Sequence, residues 1–277
     1  MSDAKTIRIG CQSWSYDDWV TKAGGETVFY PRGTKPAEML PLYSQVLDTI
    51  EVDSTAYGVP QISAVEGWYE KTPDSFVFSL KVPRAVTHEF SLRPGCYPII
   101  ESFVAAARHL KQKLGVILVQ LPASFEATKE NAQSVRDFLA QLPCDVKFAV
   151  EFRNSGWFVD WTYEEFANAR IPLALVEGKW VNHELMFAAA DKAPADFAYI
   201  RFMGIRDLDK FDRIYRSRDE NLDLWMETIK RLNAREVYIY VDNYYEGHAP
   251  ATVNKIKERL NLPITPPAVL EEQPSLF

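Results

Sequence analysis

In eight short stretches of the chain apolar and polar positions alternate with a period of two, and between most of these stretches the apolar positions recur at helical spacing. The alternating runs are 7–14, 48–55, 76–83, 115–122, 147–153, 171–177, 197–203 and 236–242. Each is rich in Val, Ile, Phe or Tyr and bounded by polar or turn residues, as strands are. Helical patterns cover 36–46, 62–72, 98–113, 129–142, 162–170, 221–233 and 250–260. Thr34 ahead of Pro36, and Thr128 ahead of Lys129, read as helix starts, and Glu164 and Glu165 sit where acids suit a helix dipole.

Strands alternating with helices along the whole chain predict a parallel sheet, and eight such units predict closure into a (β/α)8 TIM barrel. An open doubly wound sheet has the same alternation, but it usually carries a Gly-rich phosphate turn after its first strand. The corresponding residues here, GCQSWS, have none. The expected organisation is a single α/β barrel domain over 1–260 and an extended C-terminal tail over 261–277 that contains Pro263, Pro266, Pro267 and Pro274. The stretch 178–196 shows no strand pattern and is expected to cap the barrel or extend its sixth helix. The polar stretches 15–34 and 204–220 are long loops after strands, where barrel enzymes build the walls of their sites.

Parity sharpens this picture, because successive side chains of a strand face opposite ways. In most runs one parity is apolar and suits the helix layer, which sends the other parity into the barrel. That places Glu51 and Asp53, Ser79 and Lys81, Glu151 and Arg153, Tyr199 and Arg201, and Tyr240 and Asp242 inside. Gln120 and Glu177, near the ends of two less regular runs, are assigned inward with them. A barrel interior is ordinarily filled by branched apolar side chains. Buried charge is costly unless paired or hydrated, so pairs such as Glu151 with Arg201 and Lys81 with Asp53 are expected. Such pairs suit either an architectural layer closing the barrel or a polar cavity at the C-terminal mouth of the strands, where barrel sites form.

Composition narrows the chemistry. The 277 residues carry a net charge of −7, which argues against wholesale wrapping of nucleic acid. Three scattered cysteines without a C-x-x-C pair, and a start without the apolar run of a signal peptide, lead us to expect a cytoplasmic protein. No 18-residue apolar stretch predicts a membrane span. There is no P-loop, H-E-x-x-H or G-x-S-x-G, so no nucleotide cofactor is expected. Among the histidines, only His88 and His248 follow strand runs closely enough to reach the mouth, so no metal is predicted.

The residues that remain suggest acid/base chemistry, of hydrolase or lyase type, on a small or terminal anionic polar substrate. Glu51, Glu151 and His248 are the candidate catalytic groups. Lys81, Arg153 and Arg201 suit a phosphate or carboxylate. Trp14, Asp53, Tyr57, Gln120, Glu177 and Asp242 complete the candidate binding set. A non-catalytic metabolite-binding protein would use the same pocket without turnover.

The segments IRIGCQSWSYDDW, IEVDSTAYGVP, FSLKVPRAVTH, VILVQLPASF, VEFRNSGWF, YIRFMG and YVDNYYEGHAPATV together resemble the domain-of-unknown-function 72 family, also called YecE-like, from about Arg8 to about Leu260. The resemblance implies a TIM barrel and no particular reaction. Family motif positions are matched at Trp14, Ser15, Glu51, Ser54, Tyr57, Lys81, Pro83, Gln120, Pro122, Glu151, Arg153, Arg201, Gly204, Asn243, Gly247 and His248. The chain departs from the family at Cys11-Gln12, where Thr-Ser is usual, and at Asp53, where Asn is usual. Separately, the end Gln273-Pro274-Ser275-Leu276-Phe277 resembles the pentapeptide by which bacterial replication and repair proteins grip the sliding clamp, with Pro in place of the usual Leu. Through Gln273, Leu276 and Phe277 that resemblance implies a clamp-associated DNA-processing protein as an alternative function.

Overall fold

A computed structural model describes residues 5–192 and 195–270. In chain order it contains β1 (Thr6–Gln12), α1 (Pro36–Val46), β2 (Thr49–Val52), α2 (Ile62–Glu70), β3 (Val77–Lys81), α3 (Tyr97–Ala107), β4 (Leu114–Gln120), α4 (Lys129–Gln141) and β5 (Lys147–Glu151). The second half continues with α5 (Asp160–Ala169), β6 (Leu175–Glu177), α6 (His183–Lys192), β7 (Phe197–Phe202), α7 (Asp219–Arg231), β8 (Glu236–Val241), α8 (Asn243–Glu246) and α9 (Ala249–Arg259). The strands form one parallel sheet in the order β5-β4-β3-β2-β1-β8-β7-β6. Its two edges meet through Val150 N–H to Pro172 O at 3.1 Å and Ala174 N–H to Val150 O at 2.8 Å. The result is the nearly closed (β/α)8 barrel that the alternation predicts. The closing seam is thin because Pro172 has no N–H to extend the ladder.

Two apolar layers follow from parity. Residues such as Ile50, Phe78, Leu80, Val150, Ile200 and Ile239 face the helices in one large core. A second cluster of Val77, Val116, Leu118, Ala149, Ala174, Phe197, Tyr199, Tyr238 and Tyr240 fills the barrel itself. Within it, Tyr240 O–H donates to Ser79 Oγ at 2.8 Å and lies 2.8 Å from Thr49 Oγ1. Gly10 has no side chain because the backbone of Thr49 in β2 comes so close that a Cβ there would fall 2.0 Å from its O.

Local signals explain most element boundaries. Thr128 caps α4 by accepting from Asn131 N–H at 3.2 Å. At α1 the cap position is Lys35, one residue beyond the expected Thr34. Its N–H donates to Glu38 Oε2 at 2.7 Å, while Thr34 Oγ1 turns back to Pro31 O at 2.8 Å. The helix expected over 98–113 ends at Ala107 and tightens into the 3-10 turn Arg108–Lys113. There Lys113 buries its ammonium on the carbonyls of Tyr69 and Thr72, both at 2.7 Å. The strandless stretch 178–196 supplies α6. Beyond α9, Leu262 packs against the core, Pro267–Leu270 forms a turn, and Leu270 is buried. Gln273, Leu276 and Phe277, with the clamp contact expected of them, lie outside the described residues. Among the described residues no helix is long and apolar enough to cross a membrane.

Candidate active site at the C-terminal mouth

Above the aromatic layer the barrel holds a buried ionic layer. Arg201 on β7 forks onto Glu51 of β2, with Nη2 to Oε1 at 2.6 Å and Nε to Oε2 at 2.9 Å, and its Nη1 reaches Glu151 Oε2 of β5 at 2.5 Å. Tyr199 O–H donates to Glu51 Oε2 at 2.6 Å. The other oxygen of Glu151 accepts from Gln120 Nε2 and Arg153 Nε, each at 2.8 Å. Desolvation works against the Glu151 carboxylate, but Arg201, Arg153 and Gln120 outweigh it and hold its pKa at about 2. The Arg201 guanidinium, though burial opposes its charge, is held firmly protonated by Glu51 and Glu151. The expected pairing of Glu151 with Arg201 is therefore present, and so is that of Lys81 with Asp53, Nζ to Oδ1 at 3.1 Å.

Over this layer opens a cavity of about 330 Å³. Its acidic side comes from three adjacent strands: Gln12 at the end of β1, Asp53 after β2 and Asp242 after β8. Asp242 accepts Tyr244 N–H on Oδ1 at 3.3 Å and so caps α8, while Oδ2 accepts no hydrogen bond among the described residues. Burial raises the Asp242 carboxyl to about 6, even though the Tyr244 N–H and the charges of Arg201 and Arg206 pull the other way. The remaining wall is basic. Lys81, Arg84 and His88 come from β3 and its following turn, Arg153 follows β5, Lys179 and Trp180 follow β6, and Arg201 and Arg206 come from β7 and its loop. His88 is shifted below its usual value by burial first and then by Arg84, Lys81 and Arg153. Trp180 stands half-exposed at the rim, with Lys179 Nζ 4.4 Å and the Arg153 guanidinium 5.8 Å from its ring centre. Gly204 lets the loop after β7 touch the backbone of Tyr244, because a Cβ there would fall 1.7 Å from Tyr244 O.

Of the residues singled out from sequence, Asp53, Tyr57, Lys81, Gln120, Glu151, Arg153, Arg201 and Asp242 line this cavity. Tyr57 is 82% exposed on its rim. Five others lie elsewhere. Glu51 is sealed beneath the cavity, with both oxygens taken by Arg201 and Tyr199. Glu177 points out of the barrel, correcting the inward assignment: Oε1 accepts Asn221 Nδ2 and Oε2 accepts Trp225 Nε1, both at 2.7 Å and both from α7. Its neighbour Val176 takes the inward place. Trp14 packs edge-on against Trp68 of α2, with ring centres 6.1 Å apart. Asn243 is buried as the first residue of α8, where its Oδ1 accepts Trp19 Nε1 at 3.2 Å and Ala249 N–H at 2.9 Å. His248 packs edge-on against Trp19 and borders a separate surface cavity beside α9, so it does not meet the carboxylates of the mouth. Burial lowers its pKa to about 4, which leaves a neutral ring near pH 7.

Arg84, Lys179, Trp180 and Arg206 escaped the sequence reading because they follow strand ends, where alternation stops. Their places in the loops after the third, sixth and seventh runs were the available signal. Among the described residues no group of three or more His, Cys, Asp or Glu side chains gathers as a metal site.

The family model described as "Protein of unknown function DUF72" matches residues 8–275. The chain is 28% identical over 162 residues to the UPF0759 protein YecE of Escherichia coli (strain K12), a match that spans 58% of this chain and 54% of the relative. It is 26% identical to the UPF0759 protein YunF of Bacillus subtilis (strain 168), with 87% of this chain and 80% of that protein covered. A crystal structure of a DUF72 family protein from Thermotoga maritima superposes with a TM-score of 0.74 at 26% identity, covering 92% of this chain and 99% of that one. With nearly its whole length matched and the barrel shared, the chain belongs to the DUF72 family.

Proposed function

We propose that this barrel is an enzyme that carries out acid/base chemistry on a small anionic polar substrate bound in the charged mouth. The supporting observation is Asp242. It is a carboxyl at the cavity wall, with one oxygen unclaimed and a pKa raised to about 6, suited to both giving and taking a proton near neutrality. Glu151 is unsuited to that task, because three donors hold it as a carboxylate down to about pH 2. Glu51 is sealed from any ligand. These two acids instead fix the Arg201 guanidinium, which presents a rigid positive charge to the cavity and can stabilise charge that develops on the substrate. Lys81 and Arg153 border the same space and add to the positive potential that favours an anionic group.

A turnover screen of phosphorylated and carboxylated small metabolites, run with the parent protein and with Asp242→Asn, tests this reading. The expected result is conversion of one class by the parent protein, with a rate profile that breaks near pH 6, and loss of turnover but not of binding in Asp242→Asn. Full turnover by Asp242→Asn, or a ligand that occupies the cavity and is returned unchanged by the parent protein, would refute it. The second outcome would make the barrel a metabolite-binding protein.

A further inference from the structure

Charge is divided across the mouth by strand order. The sector β8-β1-β2 contributes Asp242, Gln12 and Asp53. The facing sector contributes the lysines and arginines of β3, β5, β6 and β7. Several of these cations are already committed: Lys81 to Asp53, Arg153 to Glu151, and Arg201 to Glu51 and Glu151. Arg84, Lys179 and Arg206 are different. They come from three separate loops, and among the described residues none forms an ion pair with a carboxylate. Three positive charges without a carboxylate ion pair, one of them Lys179 over the Trp180 ring, therefore border the cavity in a chain whose net charge is −7. Three such charges around one cavity repel cations and favour a multivalent anion.

The opposite wall asks for something else. Asp53 and Asp242 each have an oxygen without a hydrogen-bond donor, and the Gln12 amide makes no side-chain hydrogen bond among the described residues. A second anionic group would be repelled there, whereas hydroxyls can donate to both carboxylates and exchange hydrogen bonds with the amide. The exposed ring of Tyr57 at the rim suits the apolar face of a sugar ring.

We propose, building on the reading of the mouth as an anion-binding active site, that the ligand is a small phosphate monoester with a hydroxylated body. The phosphate lies against Arg84, Lys179 and Arg206, and the hydroxyls lie against Gln12, Asp53 and Asp242. The charge of the group decides between phosphate and carboxylate. A phosphate dianion balances two of the three free cations, and a monocarboxylate only one.

Calorimetric titration of the full chain with ribose 5-phosphate, glucose 6-phosphate and glycerol 3-phosphate tests the proposal, with ribose, glycerol and gluconate as the matched uncharged and carboxylate probes. At least one phosphate ester is expected to bind at least tenfold more tightly than every probe that lacks phosphate. Its affinity should fall as salt rises. The triple variant Arg84→Ala/Lys179→Ala/Arg206→Ala should lose at least a hundredfold in affinity, while retaining the parent unfolding midpoint because all three side chains are exposed. Gluconate binding as tightly as the esters, with the same loss in the triple variant, would overturn the phosphate assignment and leave the anion-site reading standing. Binding of ribose or glycerol alone, or of no probe at all, would overturn both. A phosphate ester held equally by parent and triple variant would overturn the placement of its phosphate.

Discussion

The two ends of the barrel both carry ionised side chains on inward-facing positions, yet they differ in kind. At the N-terminal end Lys147 of β5 meets both oxygens of Glu236 of β8 at 2.7 Å, and Tyr238 O–H donates to the same carboxylate. One cation meets one anion, and water reaches both, since their side chains are 40% and 37% exposed. At the C-terminal end the central charges are fully buried, cations outnumber carboxylates around a cavity, and Asp242 is left with a raised pKa. Inward-facing charge alone therefore does not mark a site in this molecule. The C-terminal end combines a surplus of one sign, an unclaimed oxygen and room for a ligand, whereas both oxygens of Glu236 are taken by Lys147.

The comparison is broken most forcefully at Arg201. Arg201→Met removes the one cation shared by Glu51 and Glu151 and leaves two buried carboxylates without it. Breaking a buried pair in this way costs about 3–5 kcal/mol. Urea unfolding should show that loss, and a loss below about 1 kcal/mol would mean that the ionic layer does not hold the barrel together.

Glu151 gives the next effect and fixes its sign with pH. A carboxyl held near pH 2 by its donors stabilises the fold above its unfolded value, and that stability is lost as the pH falls through about 2. The size of the depression corresponds to about 3 kcal/mol. Glu151→Gln should be less stable than the parent protein by that order at pH 7, with the gap closing at pH 2–3. A gap that stays constant with pH would contradict the electrostatic origin.

Asp242 should behave in the opposite sense. Its folded pKa lies above the unfolded value, so its favourable contribution is present at low pH and lost as the pH rises through about 6. Asp242→Asn should therefore be more stable than the parent protein by about 1–3 kcal/mol at pH 8, and equal to it near pH 4. Melting curves at the two pH values separate this from simple loss of the α8 cap, which would destabilise the protein at both. A more stable but inactive variant is the expected signature of a site that trades stability for reactivity.

Much of this layout could be read from residue order because a strand's period is two and its polar members had nowhere else to go. That logic correctly paired Glu151 with Arg201 and Lys81 with Asp53, residues tens of positions apart. It failed at Glu177, because β6 is apolar on both faces and its parity carries no signal. The donors that draw Glu177 outward, Asn221 and Trp225, come from a helix 44 and 48 residues further along the chain. His248 reads as a mouth residue because it follows a strand end, and Asn243 through the family resemblance, but neither signal says whether a residue faces the cavity or packs beside the next helix. The rim residues Arg84, Lys179 and Arg206 were invisible for a related reason: in loops, neither period applies.

The smallest effect belongs to the N-terminal end, and it tests the contrast directly. Lys147→Met removes the partner of Glu236 but leaves that carboxylate hydrated and still hydrogen-bonded to Tyr238. Partly exposed pairs contribute about 0–1 kcal/mol, because water screens the attraction and the long side chain loses entropy when held. Lys147 lies at the end of β5 opposite to Glu151, with Ala149 and the cluster that fills the barrel between them. The variant should unfold within about 1 kcal/mol of the parent protein and bind anionic ligands at the mouth with unchanged affinity. A loss comparable to that of Arg201→Met, or a weakened anion site, would mean that the two ends form a single electrostatic unit, and the distinction between structural plug and functional mouth would have to be abandoned.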